Sequence, residues 1–301
     1  MRALVFALAA VFSAAPVLAA PSGFAFLEVP AGARAAAMGG AYGSVAQGAE
    51  AAFWNPAGLA SFEGTQFAGT HTETYQHLRH DQVAVAGRLF GGGLAASMRA
   101  MYSEPIPERD DLGNLIGSFG AHDLEFLLGY GRKLSGGMSI GFTAQAVRER
   151  VADLAAGTWA LGGGVAWDAA ALPGARAALS VHNVGPAGHF MLEGVQGDRV
   201  KLPAAVQGGV SYTHAAFSNL RALLALEARA TQGRNVVTAL GAELDAPAGA
   251  AVRFGVRAND DIASWSAGAG WRTKALRVDY AFVPSKLELE DTHRFSLSAN
   301  F

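Results

Sequence analysis

The sequence predicts an all-β fold, a transmembrane antiparallel β-barrel of about fourteen strands, and three observations carry that prediction. From about residue 65 onward, apolar and polar residues alternate with period two in segments of about ten residues. Aromatic residues gather at the ends of the apolar face. Short turns and long connections take turns along the chain, as expected when every second connection lies on the same side of a membrane.

The chain opens with MRALVFALAAVFSAAPVLAA. Arg2 supplies a positive start, Ala3 to Ala15 an apolar stretch ended by Pro16, and Val17-Leu18-Ala19 the small-residue pattern that signal peptidase reads. Residues 1–19 are therefore expected to be a signal peptide, cleaved after Ala19, and the mature protein to be exported. Beyond it no run of about 18 apolar residues occurs, which excludes a transmembrane helix. Charged residues make up 16% of the 301, below the roughly 25% of soluble domains. A formal net charge of -2 leaves no electrostatic footprint for nucleic acid. Cysteine is absent, which removes disulfides, thiolate metal sites and cysteine nucleophiles.

Residues 32–60 read GARAAAMGGAYGSVAQGAEAAFWNPAGLA, too irregular for a strand and too rich in glycine for a stable helix. Gly39, Gly40 and Gly43 suggest a phosphate loop. The dinucleotide fingerprint, however, needs G-x-G-x-x-G between a strand and a helix, and the Walker pattern needs Gly-Lys-Ser/Thr. Neither is present. The small residues suit irregular backbone packed inside a barrel, which is tolerated at membrane depth only where protein or water surrounds it. Arg34 and Glu50 can answer charges there, and Asn55-Pro56 breaks the chain before the first strand.

The strands follow. Met138, Ile140, Phe142, Ala144 and Ala146 alternate with Ser139, Gly141, Thr143 and Gln145. Trp159, Leu161, Val165 and Trp167 share a face, the two tryptophans roughly 20 Å apart in height once tilt is included. Leu224 and Leu226 oppose Arg221, Glu227 and Arg229. Val252, Phe254 and Val256 oppose Arg253 and Arg257, and the last strand sets Phe295, Leu297 and Phe301 against Arg294 and Ser296. Tight turns are expected near Phe90-Gly93, Ser135-Gly137, Ala170-Gly174, Ala246-Gly249 and Arg272-Lys274. Long connections are expected at about Ser103 to Ala121, Gly185 to Leu202 and Pro284 to Thr292. This alternation places both termini in the periplasm.

Candidate sites are weighed on the same footing. His71, His77 and His80 match no familiar zinc ligand order. His182, His189, His214 and His293 are scattered, and no G-x-S-x-G occurs. No enzymatic activity, metal or cofactor is expected. Arg221, Glu227, Arg229, Glu243, Asp245, Arg253, Arg257, Arg272, Arg277, Asp279 and Arg294 face the lumen, where mutual pairing is the favoured reading for most of them over a polar conduit or a seat for a plug. In one long loop Leu112, Leu115, Ile116 and Phe119 follow i, i+3, i+4, i+7 and predict a turn or two of amphipathic helix. The other long loop carries Phe190, Met191 and Leu192. These apolar loop residues suit either mutual packing or a ligand or partner surface.

Residues 32–60 resemble the N-terminal signature of the PorV/PorQ family of outer-membrane proteins, itself similar to FadL-type transporters, and depart from it at Gln47 and Gly48, where acidic residues are usual. HNVGP, followed by LPAAVQGGVSY, is a second match, and Phe301 resembles the terminal signal read by the barrel-assembly machinery. The resemblance implies that residues 20–62 form a luminal hatch, with Arg34, Gly39, Gly40, Gly43, Glu50, Trp54, Asn55 and Pro56 at its centre, and residues 63–301 the barrel. It implies a location in the bacterial outer membrane, among its lipids. It implies handling of a hydrophobic compound or an exported protein; the alternatives are a type IX secretion accessory without small-molecule transport, or a purely structural protein.

Overall fold

The computed structural model describes residues 23–74, 78–192, 194–215, 219–287 and 289–301, so the expected signal peptide and His77 lie outside the described residues. The alternating segments become β1 (Thr65–Glu73), β2 (Arg79–Leu89), β3 (Gly92–Tyr102), β4 (Ile106–Arg109), β5 (Leu115–Phe119) and β6 (Ala121–Lys133). They continue as β7 (Met138–Val151), β8 (Leu154–Asp168), β9 (Ala175–Val184), β10 (Gly188–Leu192), β11 (Val195–Val200) and β12 (Ala205–Ala215). The last six are β13 (Arg221–Thr231), β14 (Val237–Asp245), β15 (Ala250–Ala258), β16 (Trp265–Arg272), β17 (Leu276–Val283) and β18 (Thr292–Asn300). Fourteen of them close into one antiparallel barrel, β1 meeting β18 from Gln66↔Asn300 to Glu73↔His293. The other four are excursions. β4–β5 is a separate hairpin, and β10–β11 is a hairpin whose Met191 pairs back to Ala155 of β8.

The burial pattern is inverted relative to a water-soluble sandwich. On β7, Phe142 is 62% exposed while its neighbour Thr143 is 7% exposed. Around the ring Phe67, Leu128, Trp159, Leu226, Phe254 and Leu297 point outward, and Glu125, Glu227, Glu243, Arg253, Asp279 and Arg294 are buried inside. An apolar outside is stable only against lipid, and a polar inside only if its hydrogen bonds are met.

The connections sort by length onto two ends. One end carries tight turns, including Phe90-Gly91 with φ 52° and 73°, the left-handed pair of a two-residue hairpin. The other carries residues 103–120, 185–204 and 284–291, although β7 and β8 are joined there by only two residues. The amphipathic helix expected over Leu112–Phe119 is instead the turn and second strand of the β4–β5 hairpin. Asp110 explains this: its carboxylate accepts backbone N–H bonds from Leu112 (3.0 Å) and Asn114 (2.8 Å), bending the chain back before a helical turn can form. Those bonds, with the Asn114 amide first, hold the Asp110 carboxyl below its usual range.

The expectation that both ends of the chain lie on one side needs correction for the N-terminal part alone. β1 starts and β18 ends at the short-turn end. Phe24, near the start of the described chain, lies at the long-loop end, its N–H donating to Glu149 Oε2 at 2.5 Å. The segment must cross the lumen to fill it, so its described part starts at one mouth and enters the wall at the other. On the way it forms only short pieces: 3-10 turns at Ala25–Glu28 and Pro56–Ser61, α1 (Ala33–Ala37) and α2 (Ala51–Trp54). None is long enough to be stable alone, so the barrel wall holds them.

Candidate functional site

The luminal segment is seated on glycines. A Cβ on Gly93 of β3 would overlap the Leu59 backbone, one on Gly131 of β6 or Gly141 of β7 that of Pro56, and one on Gly164 of β8 the Asn55 side chain. Across the lumen, Gly255 of β15 meets the Met38–Gly39 backbone, and Gly268 of β16 meets Ala37. Backbone therefore lies on backbone at both sides of the lumen, which only glycine permits. Asn55 locks the near side. Its Oδ1 accepts from Ala57 N (3.0 Å), starting the turn with Pro56 in its first position, and its Nδ2 donates to Val165 O (3.1 Å).

Irregular backbone leaves polar groups that the wall must meet. Gln82 accepts from Gly32 N (3.1 Å) and Ser296 from Ala33 N (2.8 Å). Ser266 accepts from Gly39 N and donates to Ala37 O, each at 3.1 Å. Arg99 donates to Leu27 O and Val29 O (both 3.3 Å), Arg257 to Gly39 O (2.9 Å), Arg294 to Pro30 O, and Ser180 to Trp54 O (3.2 Å). Glu227 lies against Gly43 and accepts from Gln207 Nε2 (2.9 Å). The Trp54 indole ties the segment to itself through Ala31 O (2.9 Å), and Gly40 lies against its ring.

One ion-pair cluster joins segment to wall. Arg34 grips Glu243 with two bonds, 2.7 and 2.5 Å, and Arg253 reaches both Glu243 (2.5 Å) and Asp279 (2.9 Å). Arg277 bonds Asp279 (2.7 Å). The structure thus brings together Arg34, Glu243, Arg253, Arg277 and Asp279. Arg221 pairs with Asp245, which Arg272 approaches at 3.8 Å. Among the described residues Arg229 bonds only Gln207 Oε1, at 3.5 Å. Arg257 and Arg294 serve carbonyls of the segment, a role their position in a strand pattern could not announce. Glu50 lies beside Gly32 and makes no ion pair among the described residues; burial raises its carboxyl to about 7, with Asp279 pushing the same way.

The loop residues divide. Leu112, Leu115 and Ile116 are exposed, Leu112 at 86%, and Phe119 is half-buried. Met191 and Leu192 are exposed, while Phe190 packs inward. Phe301 lies outside, edge-on to Phe67 with ring centres 5.9 Å apart, and its backbone pairs with Thr65. His71 bonds Asp81 through Nδ1 (2.6 Å), and His80 is buried in the lumen.

Sequence reasoning missed Phe24, Phe26 and Leu27. They pack into one apolar cluster at the long-loop end with Val147, Ala156, Ala160, Val200 and Leu202, and Met101 and Phe190 pack against it. The signal was available as GFAFLE just before the glycine-rich stretch, the first dense apolar run after the expected leader. Cavities border the segment at either end of its path among the described residues. One of about 560 Å³ lies at the short-turn end beside the β8–β9 turn, and one of about 20 Å³ lies between Leu27–Ala31 and Arg99, His182 and Arg229.

Residues 6–152 match the sequence profile of an uncharacterised protein family (UPF0164), a span that ends just past β7. No curated protein matches the chain. Among solved structures, the CymD monoaromatic hydrocarbon channel superposes with a TM-score of 0.60 at 16% identity, over 91% of this chain and 98% of that one. The Pseudomonas putida toluene transporter TodX gives 0.57 at 11% identity, over 88% and 95%. A Pseudomonas aeruginosa FadL homologue gives 0.52 at 12%, over 91% and 98%. The shared feature is the fold, that of FadL-like outer-membrane barrels.

Proposed function

We propose that this chain is a non-enzymatic outer-membrane transport barrel that takes up hydrophobic compounds at its long-loop end, and that residues 23–62 are its hatch. The apolar cluster around Phe24, Phe26 and Leu27 carries the reading. Apolar wall side chains covered only by the chain's own apolar residues form a site that a ligand would enter by displacing Phe24, Phe26 and Leu27. Phe24 has φ 55°, a left-handed conformation unusual for a side chain of its size. The likeness in fold to the hydrocarbon channels, and the resemblance to FadL-type and PorV/PorQ proteins, support the same substrate class.

The test is binding of the apolar fluorophore N-phenylnaphthylamine to the detergent-purified barrel. Phe24→Ala with Phe26→Ala removes the competing side chains from the cluster, and affinity is expected to rise about tenfold. Val200→Asp in the wall should abolish the gain. Unchanged affinity in the double variant would remove the cluster from the mechanism.

A second reading, partnership with an exported protein, is favoured by the exposed Leu112, Leu115 and Ile116 on the β4–β5 hairpin. It predicts that replacing all three with serine strips co-purifying protein from the barrel without altering fluorophore binding.

A further inference from the structure

The larger cavity plays no part in that reading, and its chemistry is of a different kind. It lies at the short-turn end, under the hatch and beside the β8–β9 turn, and holds about 560 Å³. Five arginines line it, each from a different element: Arg34 of α1, Arg176 of β9, Arg221 of β13, Arg272 of β16 and Arg277 of β17. Asp168 is the one carboxylate in the lining, beside the polar side chains of Ser44, Gln47, Ser211 and Thr213.

The carboxylates behind the lining do not use up these donors. Arg34 and Arg277 turn inward to Glu243 and Asp279. Asp245 answers Arg221 closely and Arg272 only at 3.8 Å, both through the same oxygen. Arg176 stands 3.7 Å from Asp168, and its buried Nε has no hydrogen-bond partner. Arg272 and Arg221 remain 42% and 47% exposed at the side chain, so their free edges are open to whatever enters. Guanidinium groups converging in a recess walled by protein create a positive potential that draws in anions, and each offers paired N–H donors shaped for carboxylate or phosphate.

We propose that this recess is a binding site for a soluble organic anion carrying phosphate or carboxylate groups, entered from the short-turn end. Its volume falls within the roughly 300–1,000 Å³ of small-molecule sites and exceeds what a single inorganic ion fills. Recognition rests on Arg176, Arg221 and Arg272, the cations with unsatisfied or open donors; Arg34 and Arg277 extend the field and brace the hatch above it. A phospholipid headgroup carries the same chemistry. It would have to pass over the Ala169–Gly174 turn to reach side chains that face the lumen.

The full-length mature barrel, purified in detergent, is titrated with inorganic pyrophosphate by calorimetry. One saturable site is expected at low salt, weakening as salt rises. Arg176→Gln with Arg272→Gln should lower the affinity about tenfold or more. Arg79→Gln, which removes an exposed cation at the opposite end, should leave it unchanged. Heat-modifiable gel mobility reports folding of each variant. If the double variant does not fold, Arg272→Gln alone, whose side chain is half in solvent, is expected to weaken binding several-fold. No binding at about 10 mM pyrophosphate overturns the site, as does binding that the arginine variants do not alter. A second titration uses nanodiscs of phosphatidylcholine with and without phosphatidylglycerol. Equal affinity in both supports a soluble ligand, and competition by phosphatidylglycerol assigns the recess to lipid and overturns the soluble assignment.

Discussion

Glu50 shows how a residue's environment is set from far along the chain. It sits beside Gly32 within reach of the charges of Asp279, Arg277 and Arg34, and burial raises its carboxyl from 4.5 to about 7. Between those values the folded protein keeps a proton that the unfolded chain has lost. Stability therefore falls as pH rises through that window, and the full penalty is present above it. Glu50→Gln removes the titration. In urea unfolding the variant is expected to gain on the parent protein at pH 8 relative to pH 4, and a pH-independent difference would contradict the assignment. Glu243 is the opposite case. It is buried and gripped by Arg34 and Arg253, so its replacement leaves two guanidinium groups without their shared partner. Glu243→Gln is expected to cost about 3–5 kcal/mol, read from the shift in urea midpoint.

At the scale of elements, the hatch is made of pieces too short to fold by themselves, so their order depends on the fit to the wall. The Pro56–Ser61 turn rests on Gly131 and Gly141, where any Cβ would strike the Pro56 backbone. Gly141→Val should lift this turn while leaving the outward face of β7 unchanged. Loss of the seat is expected to expose residues 51–61 to proteolysis in the folded barrel, whereas Gly136→Ala, in an open turn with nothing near its added carbon, should not. The β4–β5 hairpin teaches a related point. Four apolar residues at helical spacing are also compatible with a turn followed by a strand, and Asp110 with Gly113 at φ 84° decided between them.

For the whole molecule, the hatch is held unevenly. From Gly32 to Phe62 it is tied to the wall by the glycine seats, the serine and glutamine bonds and the Arg34 cluster. From Phe24 to Pro30 it is tied mainly through carbonyls bonded by Arg99 and Arg294, the Glu149 bond and an ion pair between Glu28 and the half-exposed Arg234. Hydrogen exchange should therefore be graded, with amides of residues 24–29 exchanging well before those of 33–61. Uniform protection along the hatch would mean that residues 24–29 do not open separately, and the displacement route proposed for hydrophobic compounds would fail with it.

The barrel was legible in the sequence because its determinants act one residue at a time. Lipid on one face and lumen on the other impose period two on every strand, and each turn needs its own glycines, so class, strand number and loop sides follow from local pattern. The inventory of inward charges was legible for the same reason. Their partners were not: Arg34 and Glu243 are 209 positions apart, and strand alternation records which way a side chain points without recording what it meets. Nor does a glycine that seats the hatch differ in sequence from one that makes a turn. The crossing of the lumen from the long-loop mouth, the apolar cluster of Phe24, Phe26 and Leu27, and the arginine-lined recess were decided by barrel closure, which brings α1, β9, β13, β16 and β17 around one space.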